Sequence, residues 1–205
     1  MNQDATFRIV IVICFAVFMA LGVRHRIRSQ STGEPLDRRQ EGWFILSTLR
    51  PMGLLMWGGV VVYMVNPSWM AWSSLPLPAF IRWMGLAVFA LAATMFRWAL
   101  NTLGPNLTDT VVTRRAHTLV TRGPYRWVRH PFYDAAALMI LAISLLTANW
   151  FLLLAGCTVM LLLVIRTRTE EANLVARFGD VYRDYMLQTG RFVPKSKKAA
   201  GPDAV

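Results

Sequence analysis

Five apolar runs of roughly bilayer-crossing length divide this chain, and they constrain its fold more than any other feature. A helix needs about 20 apolar residues to cross the hydrocarbon, at about 1.5 Å per residue. The runs cover residues 7–23, 51–69, 79–100, 131–147 and 150–165. The first is expected to be an uncleaved span, not a secretory signal, because its basic cluster follows the run and no small-residue cleavage site succeeds it. The second is expected to start at Pro51, whose missing N–H suits a first helical position. That leaves Arg50 at the membrane edge, where its stem can snorkel to water; Arg82 and Arg97, near the ends of the third run, read the same way. Only Ala148 and Asn149 separate the last two runs, so these form a tight antiparallel hairpin of short helices, tilted or not fully crossing. The expected fold is therefore all-α: a polytopic membrane protein with about five transmembrane helices.

Charge is sparse and one-sided. Charged residues make up 16% of the 205, and 22 Lys and Arg stand against 11 Asp and Glu, a formal net charge of +11. In a soluble protein that balance would suggest nucleic acid. Here the basic residues flank apolar runs, so the partner is the lipid bilayer with its anionic headgroups, and no nucleic acid is expected. Arg24, Arg26, Arg28, Arg38 and Arg39 crowd 24–42, and Arg114, Arg115, Arg122, Arg126 and Arg129 crowd 101–130, whereas 67–78 and the hairpin tip carry no Lys or Arg. The positive-inside rule then puts the N-terminus outside and the C-terminus in the cytoplasm, with 101–130 and 166–205 sharing the cytoplasmic face. Cys14 and Cys157 each lie inside an apolar run. Neither they nor the histidines show metal-ligand or redox spacing, so no metal is expected. Nothing implies an obligate protein partner.

Two polar stretches stand out against this background. RGPYRWVRHPFY (122–133) concentrates arginines, a histidine, prolines and aromatics between two apolar runs. RTRTEEANLVARFGDVYRDYMLQ (166–188) reads as an amphipathic helix, with Leu174, Phe178, Val181, Tyr182 and Tyr185 recurring every three or four residues. Gly179 costs that helix about 1 kcal/mol relative to Ala and marks a break or a close contact. Glu170 and Glu171 emerge from the last run amid positive charge. Carboxylates at the edge of an anionic bilayer need a partner, and Arg166, one turn before Glu170, is the nearest. Asp134 opens an apolar helix, where a carboxylate is expensive, although the helix N-terminus offsets part of the cost. It is either a first-turn structural acid or a carboxylate facing a polar or cationic substrate head.

Several ordered motifs join the two stretches. Gly123, Pro124, Tyr125, Arg129, His130, Pro131 and Tyr133 meet the pattern GPYxxxRHPxY. Arg166, Glu170, Glu171 and Leu174 meet RxxxEExxL; Phe178, Gly179, Tyr182 and Tyr185 meet FGxxYxxY; Arg191, Phe192 and Pro194 meet a closing RFxP. In this order the chain resembles the isoprenylcysteine carboxyl methyltransferase (ICMT) and phospholipid methyltransferase-like family of integral membrane methyltransferases, over residues 100–194. Residues 1–100 match only in being transmembrane.

The resemblance implies S-adenosyl-L-methionine as methyl donor, held in a cytoplasmic pocket between the loop before helix 4 and the helix after helix 5. It implies no dinucleotide-binding sheet, in keeping with the lack of a GxGxxG fingerprint. By resemblance, Tyr125, Arg129, His130, Pro131 and Tyr133 line that pocket with Glu170, Glu171, Tyr182, Tyr185 and Arg191. Arg166 and Glu170 form the catalytic pair, with Arg166 toward the acceptor head. The chemistry is apt: carboxylates suit an ammonium or ribose hydroxyls, guanidinium groups suit a carboxylate, and aromatic faces suit adenine or a sulfonium. His130 is preferred as a hydrogen-bond donor to the cofactor over a general base, because carboxylate or thiolate acceptors need none. Residues 1–100 would shape an acceptor cavity; 101–194 would form the catalytic region, with a hairpin at 131–165 and a cytoplasmic helix at 166–188; 195–205 would be a disordered basic tail.

The implied activity is methyl transfer to a lipophilic carboxylate, amine or thiol at the cytoplasmic membrane face. The chain's compactness resembles the prokaryotic members, which implies a prokaryotic inner membrane. The alternative is an NADPH-dependent reductase of an isoprenoid or sterol double bond that shares the C-terminal part; those relatives carry more spans than this chain.

Overall fold

The structure, a computed structural model, describes residues 3–30, 43–104 and 118–195, the side chains of 25–30 and 43–46 excepted. Its helices are α1 (Gln3–Gln30), α2 (Trp43–Val65), α3 (Ala79–Leu103), α4 (Pro131–Thr147), α5 (Trp150–Phe178) and α6 (Asp180–Gln188), with 3-10 turns at Pro67–Ser73 and Gly123–Arg126. Among the described residues there is no strand, only two isolated bridges. Arg38, Arg39, Arg114 and Arg115, on which the expected orientation partly rests, lie outside the described residues, as does the expected tail beyond Lys195.

Among the described residues four helices, α1, α2, α3 and α5, are long and apolar enough to cross a membrane. The fifth expected span is not among them: α4 has 17 residues and rises about 25 Å, less than the roughly 30 Å of hydrocarbon. It works instead as the central post of the bundle. Ala135, Ala142 and Leu146 on α4 are fully buried, and Met139 and Ile143 join Phe7, Ile11, Val60 and Phe89 in the main core. The turn after it is tight, as its two residues require. Ala148 takes the left-handed conformation (φ 48°), and the Asn149 side chain caps α5 by accepting from Leu152 N.

Three local expectations are corrected. Helix α2 begins at Trp43, so Pro51 lies inside it and not at its start; the one amide that Pro51 lacks did not stop the helix. Helix α5 does not end at 165. It runs unbroken to Phe178, so the presumed separate helix 166–188 is the last three turns of a membrane helix followed by the short α6. The break falls at Gly179 (φ 58°, ψ −132°), a backbone conformation open to glycine alone. The rotation there takes Val181 out of the expected apolar stripe and leaves it exposed, while Tyr182 and Tyr185 stay buried.

Arg82 also departs from expectation. It does not snorkel but turns inward, with a side chain only 6% exposed. It donates to the Leu146 carbonyl (3.1 and 3.0 Å) and the Tyr63 hydroxyl (2.9 Å), pairs with Asp4 (3.0 Å), and lies 3.9 Å over the Phe7 ring. One residue thus ties α1, α2, α3 and the end of α4. Exposed Trp69, Trp72, Trp83 and Trp150 surround this end of the bundle, and exposed Trp98 and Trp127, 5.5 Å apart, mark the other. Tryptophan prefers the membrane–water boundary, so the two sets bracket the bilayer.

Candidate active site

The site lies at the Trp98–Trp127 end, where three segments meet. Arg129 N donates to Gly190 O (2.9 Å), His130 N to Arg191 O (3.1 Å) and Gly190 N to Trp127 O (3.3 Å), so 127–130 and 190–191 run together as a two-stranded tie. Gly190 is needed there: a Cβ on it would stand 1.6 Å from Val193 O. His130 is the N-cap residue of α4, and Pro131 at the first helical position follows it. The third segment is the end of α5, which carries Arg166, Glu170 and Glu171.

Glu171 is the hub. It is 4% exposed, and its Oε1 accepts from Arg129 Nε (2.8 Å), His130 Nε2 (3.2 Å) and Arg191 Nε (3.2 Å), while Oε2 accepts from Arg191 Nη2. A buried carboxylate is tolerable only with this much compensation. An ionised carboxylate accepts and never donates, so the facing His130 Nε2 carries the proton. Arg129 has further work: its Nη1 donates to the carbonyls of Met186 and Thr189, closing the C-terminal end of α6.

Glu170 faces another way. Its Oε1 accepts from Tyr133 Oη (2.7 Å) and lies 3.3 Å from Arg166 Nε; its Oε2 lies 3.7 Å from His130 Nδ1, beyond hydrogen-bond distance. Arg166 was expected to pair with Glu170, and it does. The pair is misaligned for a hydrogen bond, so Arg166 Nε is a buried donor with none. Above these groups the His130 ring stacks on Tyr133 (5.4 Å, 4°) and touches Phe192 (5.8 Å).

The other expected site residues form the wall behind. Tyr185 Oη donates to Tyr125 O, and Tyr182 lies 5.7 Å from Tyr185; all three rings are buried. Burial pushes the Tyr185 phenol up to about 12 and raises those of Tyr125 and Tyr182 as well. Asp134 is half-buried, and no hydrogen bond or ion pair ties its carboxylate to this cluster among the described residues. Two contributors were not anticipated. Thr189 is buried and supplies a carbonyl to Arg129, and Lys195, assigned to the disordered tail, donates to the carbonyls of Met186 (2.8 Å) and Leu187 (3.0 Å). A lysine soon after a helix end was the available signal. Among the described residues no three His, Cys, Asp or Glu side chains are placed to hold a metal ion.

Several known proteins resemble this chain in sequence or in fold. The family model "Isoprenylcysteine carboxyl methyltransferase (ICMT) family" matches residues 83–176. A protein-S-isoprenylcysteine O-methyltransferase of Tribolium castaneum is 32% identical over 124 residues, 56% of this chain and 43% of that protein. A methanethiol S-methyltransferase of Mycobacterium tuberculosis is 36% identical over 70 residues, 34% of this chain and 28% of that protein. The chain thus spans less than half the length of either relative. The solved eukaryotic intramembrane Ras methyltransferase ICMT shares the fold, with a TM-score of 0.52 at 19% identity, over 90% of this chain and 67% of that one. The stretch that this family model matches, residues 83–176, includes Arg129, His130, Tyr133, Arg166, Glu170 and Glu171.

Proposed function

We propose that this chain is an integral membrane methyltransferase that uses S-adenosyl-L-methionine to methylate a lipophilic carboxylate, amine or thiol. One observation carries the reading. The Glu170 carboxylate and the buried Arg166 Nε, which has no hydrogen bond, lie 3.3 Å apart beside the stacked rings of His130 and Tyr133. That donor set fits the cofactor. Glu170 suits an ammonium or ribose hydroxyl, Arg166 an anionic group, and the ring faces adenine or a sulfonium. When bound, the cofactor supplies an activated methyl on a good leaving group.

The chain's own residues do the positioning, which is most of what such a transfer needs. Glu171 orients His130 and, with Arg129 and Arg191, locks three segments together. Tyr133 Oη fixes Glu170, and Glu170 steadies Arg166 where it can meet the acceptor head. Tyr125, Pro131, Tyr182 and Tyr185 back the pocket and exclude water. In this reading residues 3–103 supply the scaffold on the acceptor side, and 123–195 the cofactor side. Arg122, Arg126, Arg183 and Lys195 gather at the site end, which the positive-inside rule assigns to the cytoplasm; the resemblance to prokaryotic members makes the membrane a prokaryotic inner one in this reading.

Calorimetric titration of the purified protein with S-adenosylhomocysteine and with NADPH tests this. Micromolar binding of the thioether, lost in Glu170→Gln and Arg166→Gln, is expected. Binding of NADPH alone would favour the reductase alternative, which neither named relative supports. A folded protein that binds neither would be a non-catalytic scaffold.

A further inference from the structure

One carboxylate at the site end stands without a partner. Asp134 lies in the first turn of α4, beside Tyr133, and is half-buried. Among the described residues no hydrogen-bond donor and no cation meets its side chain. The other acidic residues described differ. Glu171 answers Arg129, His130 and Arg191, and Glu170 answers Tyr133 and Arg166. Asp4 and Asp180 pair with Arg82 and Arg183, and Asp184 is exposed to water.

Asp134 stands on the outward side of its helix. Ala135, Ala142 and Leu146 turn inward and are fully buried. Ala137 and Leu141 follow Asp134 at three and seven residues, share its side of the helix, and are exposed. The polar end of this outward strip is therefore a carboxylate, one residue from the tyrosine whose hydroxyl fixes Glu170 (2.7 Å). A bare carboxylate beside hydrocarbon is expensive, and the helix N-terminus offsets only part of the cost. A cation would offset the rest.

The same residue supplies what one class of acceptor lacks. A carboxylate or thiolate can take a methyl group as it stands. An alkyl amine is protonated at neutral pH, with an ordinary pKa of about 10.4, and must shed a proton first. The other basic groups of the site are engaged: His130 Nε2 carries its proton toward Glu171, and both glutamates hold guanidinium partners.

We propose that Asp134 selects and deprotonates the acceptor's head, and that the acceptor is a lipophilic amine. Its ammonium pairs with the Asp134 carboxylate and gives it one proton. The freed nitrogen pair forms the N–C bond as the methyl's bond to sulfur breaks, the bonding pair staying on sulfur as a neutral thioether. The product leaves as a methylated ammonium, and Asp134 returns its proton to water. A carboxylate head is repelled by the same charge. The transfer rests on the methyltransferase reading; the pairing of Asp134 with an ammonium does not.

Two experiments test it. In the first, the protein in phosphatidylcholine vesicles is treated with dicyclohexylcarbodiimide and dodecylamine and mapped by mass spectrometry. The reagent takes up the elements of water as carboxylate and amine become an amide. A dodecyl amide is expected at Asp134, saturating with amine and not competed by dodecanol. Coupling confined to the exposed Asp180 and Asp184 would overturn the proposal. In the second, turnover is compared across dodecylamine, dodecyl thiol and dodecanoate, and the amine is expected to be preferred. In Asp134→Asn the ratio of amine to thiol kcat/KM is expected to fall about 10- to 100-fold, as for a lost hydrogen bond to a charged group, and Asp134→Glu should restore it. A parent protein that prefers thiol or carboxylate, or that binds S-adenosylhomocysteine yet leaves the amine unmethylated, would refute the role. So would an equal loss on all three heads, the mark of a first-turn structural acid. S-adenosylhomocysteine titration of the same preparation reports on the cofactor separately, so coupling at Asp134 without thioether binding would sink the methyltransferase reading and keep the amine site.

Discussion

The two adjacent glutamates should behave as opposites, and Glu171→Gln is the sharper half of that contrast. Glu171 is 4% exposed and answers two guanidinium groups and an imidazole. The glutamine keeps the shape and removes the charge. Arg129, whose side chain is 8% exposed, is then left buried without its counterion, which costs about 3–5 kcal/mol. The share of Arg191 is discounted, because its side chain is 36% exposed and water screens it. For a chain of this length each kcal/mol moves the unfolding midpoint by about 2–4 °C, so Glu171→Gln should lower it by about 6–20 °C. Thermal unfolding in detergent, followed by the fluorescence of the 8 tryptophans, reads this directly. Glu170→Gln keeps an acceptor for the Tyr133 hydroxyl at a more open position, and should cost about 1 kcal/mol while abolishing S-adenosylhomocysteine binding. The double replacement of Glu171 and Arg129 by Met should recover part of the stability, since a missing ion pair is cheaper than a broken one. If Glu170→Gln proves the more destabilising of the two single variants, the hub has been assigned to the wrong residue.

Further outcomes follow from the same geometry. Arg82→Met should cost about 2 kcal/mol, or about 4–8 °C in unfolding midpoint, by stripping the Leu146 carbonyl and Tyr63 of a buried donor, with S-adenosylhomocysteine affinity retained; Asp4→Asn, at a 59% exposed side chain, should cost less than about 1 kcal/mol. Gly190→Ala should open the tie between 127–130 and 190–191, visible as tryptic cleavage at Arg191 that the parent protein resists. The buried phenols of Tyr125, Tyr182 and Tyr185 all titrate above their unfolded value of about 10. Their contribution to stability is therefore complete below about pH 10 and is lost as pH rises toward 12; Tyr185→Phe should flatten the decline of unfolding temperature over that range.

What could be read from the chain in advance was what short-range chemistry announces. Apolar runs, the two-residue hairpin turn and the ordered polar motifs are local signals, and each has its counterpart in the structure. The misreadings share a cause: they concern where local regularity stops or which way it faces. Nothing between Arg166 and Phe178 breaks a helix, so the passage from membrane to water leaves no mark on α5, and the first true stop is Gly179. Pro51 looks like a beginning because losing one amide costs nothing there; a bundle can also carry it mid-helix. Arg82 sits as near a helix end as Arg97 does, yet it faces the Leu146 carbonyl and Arg97 faces outward, and that choice depends on partners 64 and 78 residues away. The unlike duties of Glu170 and Glu171 were equally hidden, because adjacent residues on a helix point about 100° apart and only the fold decides which of them meets Arg129.

The continuity of α5 has a mechanical consequence. From Trp150 at one membrane surface to Arg166 is a rise of about 24 Å, and to Glu171 about 32 Å, with no hinge between. Such a rod works like a gauge of bilayer thickness. In a thicker membrane it must stand straighter or draw Arg166 and Glu170 into hydrocarbon, and in a thinner one it must lean. Either adjustment loads the Tyr133–Glu170 hydrogen bond, where the end of the long α5 meets the start of the shorter α4. The site should therefore be tuned to one acyl length, with turnover peaking in vesicles of that thickness and falling on both sides.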